Sequence, residues 1–181
     1  MRIVGGVLSG RVLRAPTGAA TRPTSEKVRE AMFAILGSVE GMYVLDLFAG
    51  SGAVGIEAVS RGAAHAVLND SAKPAQLAIR ANVETLGLAD RIAVLSIDSL
   101  RLARNPPVVA PYGLVFVDPP YASDLAARAA GAISLAHLAP DATLVIEHDL
   151  RHAPPEQLGS LLRTDHRRYG DTQLSFYKAP Q

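Results

Sequence analysis

The segment "VFVDPPY", from Val115 to Tyr121, combines residue types that can bind an amino group. An apolar strand would deliver Asp118 to the carboxyl edge of a sheet, where open α/β sheets bind ligands. Pro119 and Pro120 would end that strand and, because they fix φ and lack N–H groups, can hold the Pro119 carbonyl beside the carboxylate. Two acceptors and a tyrosine ring suit an exocyclic base amine, whose base stacks on an aromatic face. The alternative interpretation is a strand end with a proline turn and a packing tyrosine.

A second segment, "FAGSGAVG", has glycines in the spacing G-x-G-x-x-G at Gly50, Gly52 and Gly55. Between a strand and a helix, this spacing predicts a cofactor whose polar part lies against the helix start, beside backbone without side chains. The glycines alone do not distinguish a nicotinamide from another nucleoside. Because the loop is expected at the surface of the core, we expect Gly52→Val to abolish cofactor binding and leave the fold largely intact.

Several other chemistries lack the residues that they need. The chain has no cysteine, which excludes disulfides, thiolate zinc sites and a cysteine nucleophile. Its five histidines form no H-x-x-x-H pair with a nearby acid, so no metal site is predicted. No serine lies in a G-x-S-x-G elbow and no G-K-[ST] follows the glycines, so hydrolase and P-loop interpretations fail.

The elements that would position these residues follow an alternating pattern. Apolar strand-like runs at 43–47, 66–68, 92–95, 114–117 and 143–146 alternate with helix candidates at about 52–61, 72–86 and 123–138. This alternation predicts an α/β protein with a doubly wound, Rossmann-like, mostly parallel sheet. The end of the chain, "LLRTDHRRYGDTQLSFYKAP", predicts an antiparallel C-terminal hairpin with its turn at Gly170 and Asp171.

The first 37 residues are predicted to form a small basic extension, an arm followed by a helix, before a catalytic domain at 38–181. The helix would begin near Thr24 or Ser25 and end at Gly37. Residues 1–30 contain six Lys or Arg and two Glu, a net charge of +4, whereas the remaining residues carry −3. A basic arm on a slightly acidic body is typical of nucleic-acid binding, with a solvated edge as the alternative.

Length and composition favour one globular unit. A chain of 181 residues with 49% hydrophobic and 19% charged residues is long enough for a main core and is not disordered as a whole. The N-terminal apolar run is interrupted by glycines and by Arg11, so no signal peptide is predicted. No stretch reaches the ~20 apolar residues of a membrane span, and a cytoplasmic protein is expected.

The segments "VLDLFAGSGAVGIEA" and "DPPY" together resemble the class I S-adenosylmethionine-dependent amino-methyltransferases. Three further segments, "RIVGGVLSGRVLRAP", "RPTSEKVREAMFAIL" and "YGDTQLSFYK", resemble the RsmD-type family, which methylates the N2 amine of a guanine in 16S ribosomal RNA. The resemblance implies S-adenosyl-L-methionine as the cofactor and 16S rRNA, within a small-subunit particle, as the partner.

The resemblance also implies site residues. The target amine would be held by the catalytic segment, which comprises Asp118, Pro119, Pro120 and Tyr121. The cofactor would be held by residues at the ends of three strands, namely Asp46, Phe48, Gly50, Ser51, Gly52, Asn69, Asp70, Asp98 and Ser99. The charge of the basic arm, rather than the resemblance, predicts that RNA phosphates are held by Arg2, Arg11, Arg14 and Arg22.

Among the cofactor residues, Asp46 matches the position near the methionine end, and Asp98 matches the residue that meets the adenine amine. A helix N-cap is an equally good interpretation of Asp98. The residue that takes the ribose hydroxyls is left open between Asn69 and Asp70, because both offer an acceptor.

Three alternatives stay open from the sequence. The D-P-P-Y segment also suits adenine N6 or cytosine N4. A nicotinamide oxidoreductase is supported by the glycine spacing and by Asp70, which follows Gly52 by 18 residues, near the ~20 expected for a ribose acid. A non-catalytic RNA-binding module is the third.

Overall fold

A computed structural model describes residues 1–18, 24–107, 110–120 and 124–179, and within them one eight-stranded sheet is flanked by helices. The elements are α1 Glu26–Leu36, β1 Tyr43–Asp46, α2 Ala53–Ser60, β2 His65–Asn69, α3 Lys73–Thr85, β3 Ile92–Leu95, α4 Ser99–Arg104, β4 Tyr112–Val117, α5 Leu125–Gly131, β5 Leu138–His148, β6 Gln157–Leu158, β7 Leu161–Tyr169 and β8 Thr172–Lys178. A 3₁₀ turn, Leu135–His137, joins α5 to β5.

The strand order is β3-β2-β1-β4-β5-β8-β7-β6. The first five strands are parallel, and β8, β7 and β6 continue the sheet in antiparallel pairs. This arrangement confirms the predicted fold class, including the C-terminal hairpin around Gly170. The chain order reverses between β1 and β4, and ligands bind outside the carboxyl ends of the strands at such a point.

The sheet buries both faces, as a parallel sheet with helices on each side must. On one face, strand residues such as Val44, Phe116 and Val145 pack with α1, α2 and α3. On the other face, residues such as Leu45 and Val115 pack with α4 and α5.

The N-terminal arm packs onto the first of these faces. Ile3 and Leu13 are buried in the same core as the helices, and the arm folds back on itself through an isolated bridge between Arg2 and Val12. The backbone of Arg14 exchanges two hydrogen bonds with the side chain of Asn82 on α3. The division of the chain at residue 37 stays a prediction.

A buried ion pair joins the first two helices. Arg29 on α1 donates to Glu57 on α2 and to the backbone carbonyl of Arg2, and Arg61 also pairs with Glu57. Two guanidinium partners compensate the cost of burying the Glu57 carboxylate away from water. The pair therefore ties α1 and the arm to the helix that follows the glycine segment.

The predicted elements differ from the structure in a few places. Ser25 is the N-cap of α1, and its hydroxyl accepts from the Val28 N–H. The predicted helix over 123–138 is wrong in its second half, because α5 ends at Gly131 and β5 already begins at Leu138. Among the described residues, no helix is long and apolar enough to cross a membrane.

Candidate active site

A cavity of about 650 Å³ opens at the carboxyl edge of the sheet, where β1 and β4 end. Its volume lies in the usual range for small-molecule sites. The lining comes from three parts of the chain. The segments after β1 and β2 contribute Asp46, Phe48, Gly50, Ser51 and Asp70; the segment after β4 contributes Asp118, Pro119 and Pro120; and the N-terminal part contributes Met1, residues 15–18 and Thr24.

The two glycines of the turn after β1 have different surroundings. Both have positive φ, +57° at Gly50 and +81° at Gly52. A Cβ added at Gly50 would meet no atom of the described residues within 4 Å, whereas at Gly52 it would lie 3.1 Å from Leu68 and 3.2 Å from Ile56. The premise that this loop lies at the surface of the core is wrong at Gly52, which is buried against core side chains, so Gly52→Val is expected to destabilise the fold.

Asp46 is a buried carboxyl group that faces the cavity. Its side chain is 1% exposed, and Oδ1 has no hydrogen-bond partner among the described residues. Burial raises the pKa of Asp46 to about 8, and the charge of Asp70 adds to the shift. Backbone hydrogen bonds from Phe48 and Gly55 offset part of this rise in pKa. A cationic ligand beside the buried carboxyl group would favour its ionised form.

The structure separates the two candidates for the ribose. The amide of Asn69 is buried and donates to the carbonyls of Leu47 and Ile97, so it is used within the fold. Asp70 lines the cavity, where its carboxylate accepts from the Gly50 N–H at 2.9 Å. Asp70 is therefore the residue placed to meet a ligand.

Two further predicted cofactor residues serve the fold in this structure. Asp98 caps α4 by accepting from the Arg101 N–H, and Ser99 is buried and donates to the Leu47 carbonyl. Neither is among the described residues that line the cavity. Their direct contact with a cofactor stays a prediction.

Asp118 follows β4 and lines the same cavity as the glycine turn. Its Oδ2 is 3.4 Å from the Thr24 hydroxyl, and the same hydroxyl is 2.8 Å from Oε2 of Glu147 on β5. Burial raises the pKa of Asp118 well above its usual range, and the charges of Glu147 and Asp46 add to the shift. Burial also raises the pKa of Glu147 to about 7.

Sequence reasoning missed Thr24 and Glu147 as neighbours of Asp118, and it missed the arm as a wall of the cavity. Thr24 was considered only as a helix cap. Glu147 could have been found, because it follows an apolar run on a strand predicted to end at the same sheet edge as Asp118.

The remaining predicted residues lie at the surface or outside the described residues. Arg2, Arg11 and Arg14 are exposed on the arm. Tyr121 and Arg22 lie outside the described residues, so their roles stay predictions.

Comparisons with known proteins identify the family. The family described as "Conserved hypothetical protein 95" matches residues 1–178. The chain belongs to this family, the RsmD-type methyltransferases. It is 37% identical to "Putative rRNA methyltransferase YlbH" of Bacillus subtilis over 98% of each protein. It is 34% identical to "Ribosomal RNA small subunit methyltransferase D" of Escherichia coli, covering 86% of this chain and 78% of that relative.

A solved structure with the same fold supports this assignment. It is described as "Putative methyltransferase yhhF from Escherichia coli" and has a TM-score of 0.83 and 30% identity to this chain. The superposition covers 99% of this chain and 97% of the solved one. The protein is therefore an S-adenosylmethionine-dependent methyltransferase. The oxidoreductase and the non-catalytic binding module are no longer needed to explain the motifs.

The observed site fits S-adenosylmethionine. The cofactor carries a sulfonium and an ammonium group, and Asp46 offers on the cavity wall a buried carboxylate oxygen that has no hydrogen-bond partner in the described ranges. Open space beside Gly50 allows a ligand close to the backbone. Asp70 offers carboxylate oxygens for hydroxyl groups on the same wall.

Proposed function

We propose that the protein transfers a methyl group from S-adenosylmethionine to the N2 amine of a guanine in 16S rRNA. Relatives that match most of the chain are named as rRNA methyltransferases, and one of them as a small-subunit enzyme. The observation that carries the proposal is the shared cavity, in which Asp118, Pro119 and Pro120 face the same space as Asp46 and the glycine turn.

The cofactor, when bound, supplies an activated methyl group and its own leaving group. The protein therefore has to bind the cofactor, align the target amine with its methyl group, and exclude water. Asp46, Gly50 and Asp70 would hold the cofactor on the β1 and β2 side of the cavity. The arm, through Met1 and residues 15–18, closes part of the wall.

The chemical difficulty lies in the target amine, because the N2 lone pair of guanine is delocalised into the ring. Asp118, in its ionised form, would accept a hydrogen bond from the amine, and the Pro119 carbonyl is the proposed second acceptor. Two oriented acceptors favour a pyramidal nitrogen aimed at the methyl group and stabilise the positive charge that develops on it. The base has to leave its stack to reach such a cavity.

The finer identity of the substrate rests on the family resemblance. Adenine N6 and cytosine N4 present the same NH₂ geometry to Asp118, so the acceptors do not choose among them. A small-subunit particle is the proposed form of the substrate, and an rRNA substrate supports the predicted cytoplasmic location.

The test uses the purified protein with methyl-labelled S-adenosylmethionine and either protein-free 16S rRNA or assembled small subunits. After nuclease digestion, mass spectrometry separates the methylated nucleosides. The proposal expects N2-methylguanosine. N6-methyladenosine or N4-methylcytidine would show that the target is a different amine. If neither RNA form yields a labelled nucleoside, the proposed rRNA substrate is contradicted.

Asp118 provides the first testable variant. We expect Asp118→Ala to lower the single-turnover methylation rate ~10²-fold or more, because one oriented electrostatic partner of the amine is lost. Asp118→Asn keeps the size and one acceptor, so a rate well below the parent's indicates that charge is needed. Cofactor affinity, measured by calorimetry without RNA, is the control. A near-parental rate for Asp118→Ala would remove this segment from the amine site.

A further inference from the structure

Glu147 lies beside Asp118, on the adjacent strand of the sheet. In the parallel pairing of β4 with β5, Val117 is the partner of Ile146, so the next residues, Asp118 and Glu147, are level on adjacent strands. Asp118 lines the cavity, whereas Glu147 is 4% exposed and is not among the described lining residues. Glu147 therefore affects the target amine through Asp118.

The Thr24 hydroxyl bridges the two carboxyl groups. It lies 2.8 Å from Glu147 Oε2 and 3.4 Å from Asp118 Oδ2. A hydroxyl has one hydrogen to donate and lone pairs with which to accept. It satisfies both carboxyl groups best when one of them is protonated and donates to it, while the other is ionised and accepts from it.

The described residues around this pair offer little to stabilise two negative charges. Asp46 on β1 adds a third acidic group, and on the other side of β5 the residue paired with Glu147 is Leu174. His148, the next residue on β5, contacts Ser175 through its ring. Within the described ranges, no Lys, Arg or His forms an ion pair with Asp118 or Glu147.

We propose that Glu147, acting through the Thr24 hydroxyl, shares one proton with Asp118 and so sets how much of Asp118 is ionised to accept the target amine. Glu147 is thus a positioning residue for the reaction, and this role rests on the proposed function. In one arrangement, protonated Asp118 donates to Thr24, which donates to ionised Glu147. In the other, protonated Glu147 donates to Thr24, which donates to ionised Asp118. Their exchange moves two protons and shifts the one negative charge from one carboxyl group to the other, while the total charge stays the same.

The carboxyl groups make the proposal testable without cofactor or RNA. Carbon-13 NMR of the folded protein follows the titration of the Asp118 carboxyl carbon, assigned by its loss in Asp118→Asn. Glu147→Gln removes a competing negative charge, so the Asp118 midpoint is expected to fall by about one pH unit or more, a tenfold change in its ionisation equilibrium. Thr24→Val removes a donor to the carboxylate, so the midpoint is expected to rise.

Two variants serve as controls. Thr24→Ser retains the hydroxyl and is expected to restore a midpoint near that of the parent. Glu156→Gln makes the same chemical change at an exposed side chain that pairs with Arg163, and it is expected to leave the Asp118 midpoint unchanged. Each test variant has its own expected direction of shift. If one of them does not fold, the other still tests the proposal.

The same variants connect the titration to methylation. The acid limb of the single-turnover rate against pH is expected to move to lower pH in Glu147→Gln and to higher pH in Thr24→Val. A purely structural role would instead lower the rate equally at every pH. The proposal is overturned if the Asp118 midpoint in either folded variant is the same as in the parent. If the midpoints shift as expected but no guanine N2 is methylated, the proton sharing holds and the proposed function fails.

Discussion

At the scale of single residues, the two glycines after β1 show why a motif position does not define a role. Gly50 lines the cavity, and its N–H donates to Asp70. Gly52 begins α2 in a left-handed conformation and faces Leu68 and Ile56. The first is placed to admit a ligand, and the second is required by the packing of the turn on the core.

Substitutions at these glycines should therefore separate binding from stability. Gly50→Ala places a Cβ where the described part of the chain has no atom within 4 Å, at a left-handed φ that costs an alanine ~1–2 kcal/mol. We expect it to fold and to weaken S-adenosylmethionine binding about tenfold or more, measured by calorimetry. Gly52→Val should instead lower the urea midpoint of unfolding. Parental affinity in Gly50→Ala would place the cofactor away from this turn.

At the scale of elements, the arm has a backbone held by hydrogen bonds and arginine side chains that are exposed. Asn82 holds the Arg14 backbone and also donates to the carbonyl of Ser51 in the glycine turn. The side chains of Arg2, Arg11 and Arg14 remain exposed at the surface. The arm can therefore shape the cavity with its backbone and present guanidinium groups to RNA phosphates.

Replacing Arg2, Arg11 and Arg14 with Gln should weaken rRNA binding and flatten its dependence on salt, because fewer counterions are released. Cofactor affinity should change little, since the backbone contacts are kept. The matched control replaces Arg101, Arg104 and Arg128, which are exposed on α4 and α5 over the other face of the sheet. Filter binding at several salt concentrations measures both. Equal salt slopes in the two triple variants would mean that the arm is not a specific RNA contact.

At the scale of the whole molecule, three carboxyl groups with raised pKa values share one edge of the sheet. Burial is the main cause for Asp46, Asp118 and Glu147 alike. In the folded protein these groups hold protons that the unfolded chain releases at lower pH, so their contribution to stability falls as pH rises toward the folded pKa. Burial lowers the pKa of His65 and His148, which opposes this trend.

The comparison of the parent with Asp46→Asn isolates one of these groups. Its pKa rises from 3.8 to about 8 on folding, so the stability advantage of Asn over Asp should grow as pH increases toward 8. Between pH 5.5 and 8 the advantage should increase by up to roughly 3 kcal/mol. Urea unfolding of both proteins at the two pH values measures it. A difference that does not depend on pH would show that Asp46 is ionised throughout.

The sequence by itself determined the order of the elements other than the short α4 and β6, the parallel sheet with its antiparallel end, and the two segments that face the cavity. These follow from local signals, since apolar periodicity, glycine spacing and the prolines after Asp118 each act within a few residues. It also limited the residue predicted to accept from the cofactor ribose to Asn69 or Asp70. The choice between them depends on where the carbonyls of Leu47 and Ile97 lie.

Only the tertiary structure decided which distant residues meet. Thr24 and Glu147 are 123 residues apart, and they come within 2.8 Å because the helix that follows Thr24 is buried in the same core as Phe116 and Val145 of β4 and β5. The arm lines the cavity because Ile3 and Leu13 are buried in the core of the sheet's first face. The proton that Asp118 and Glu147 are proposed to share depends on burial and on a hydroxyl between two strand ends. Such contacts are set by packing between elements, and no local pattern in the chain encodes them.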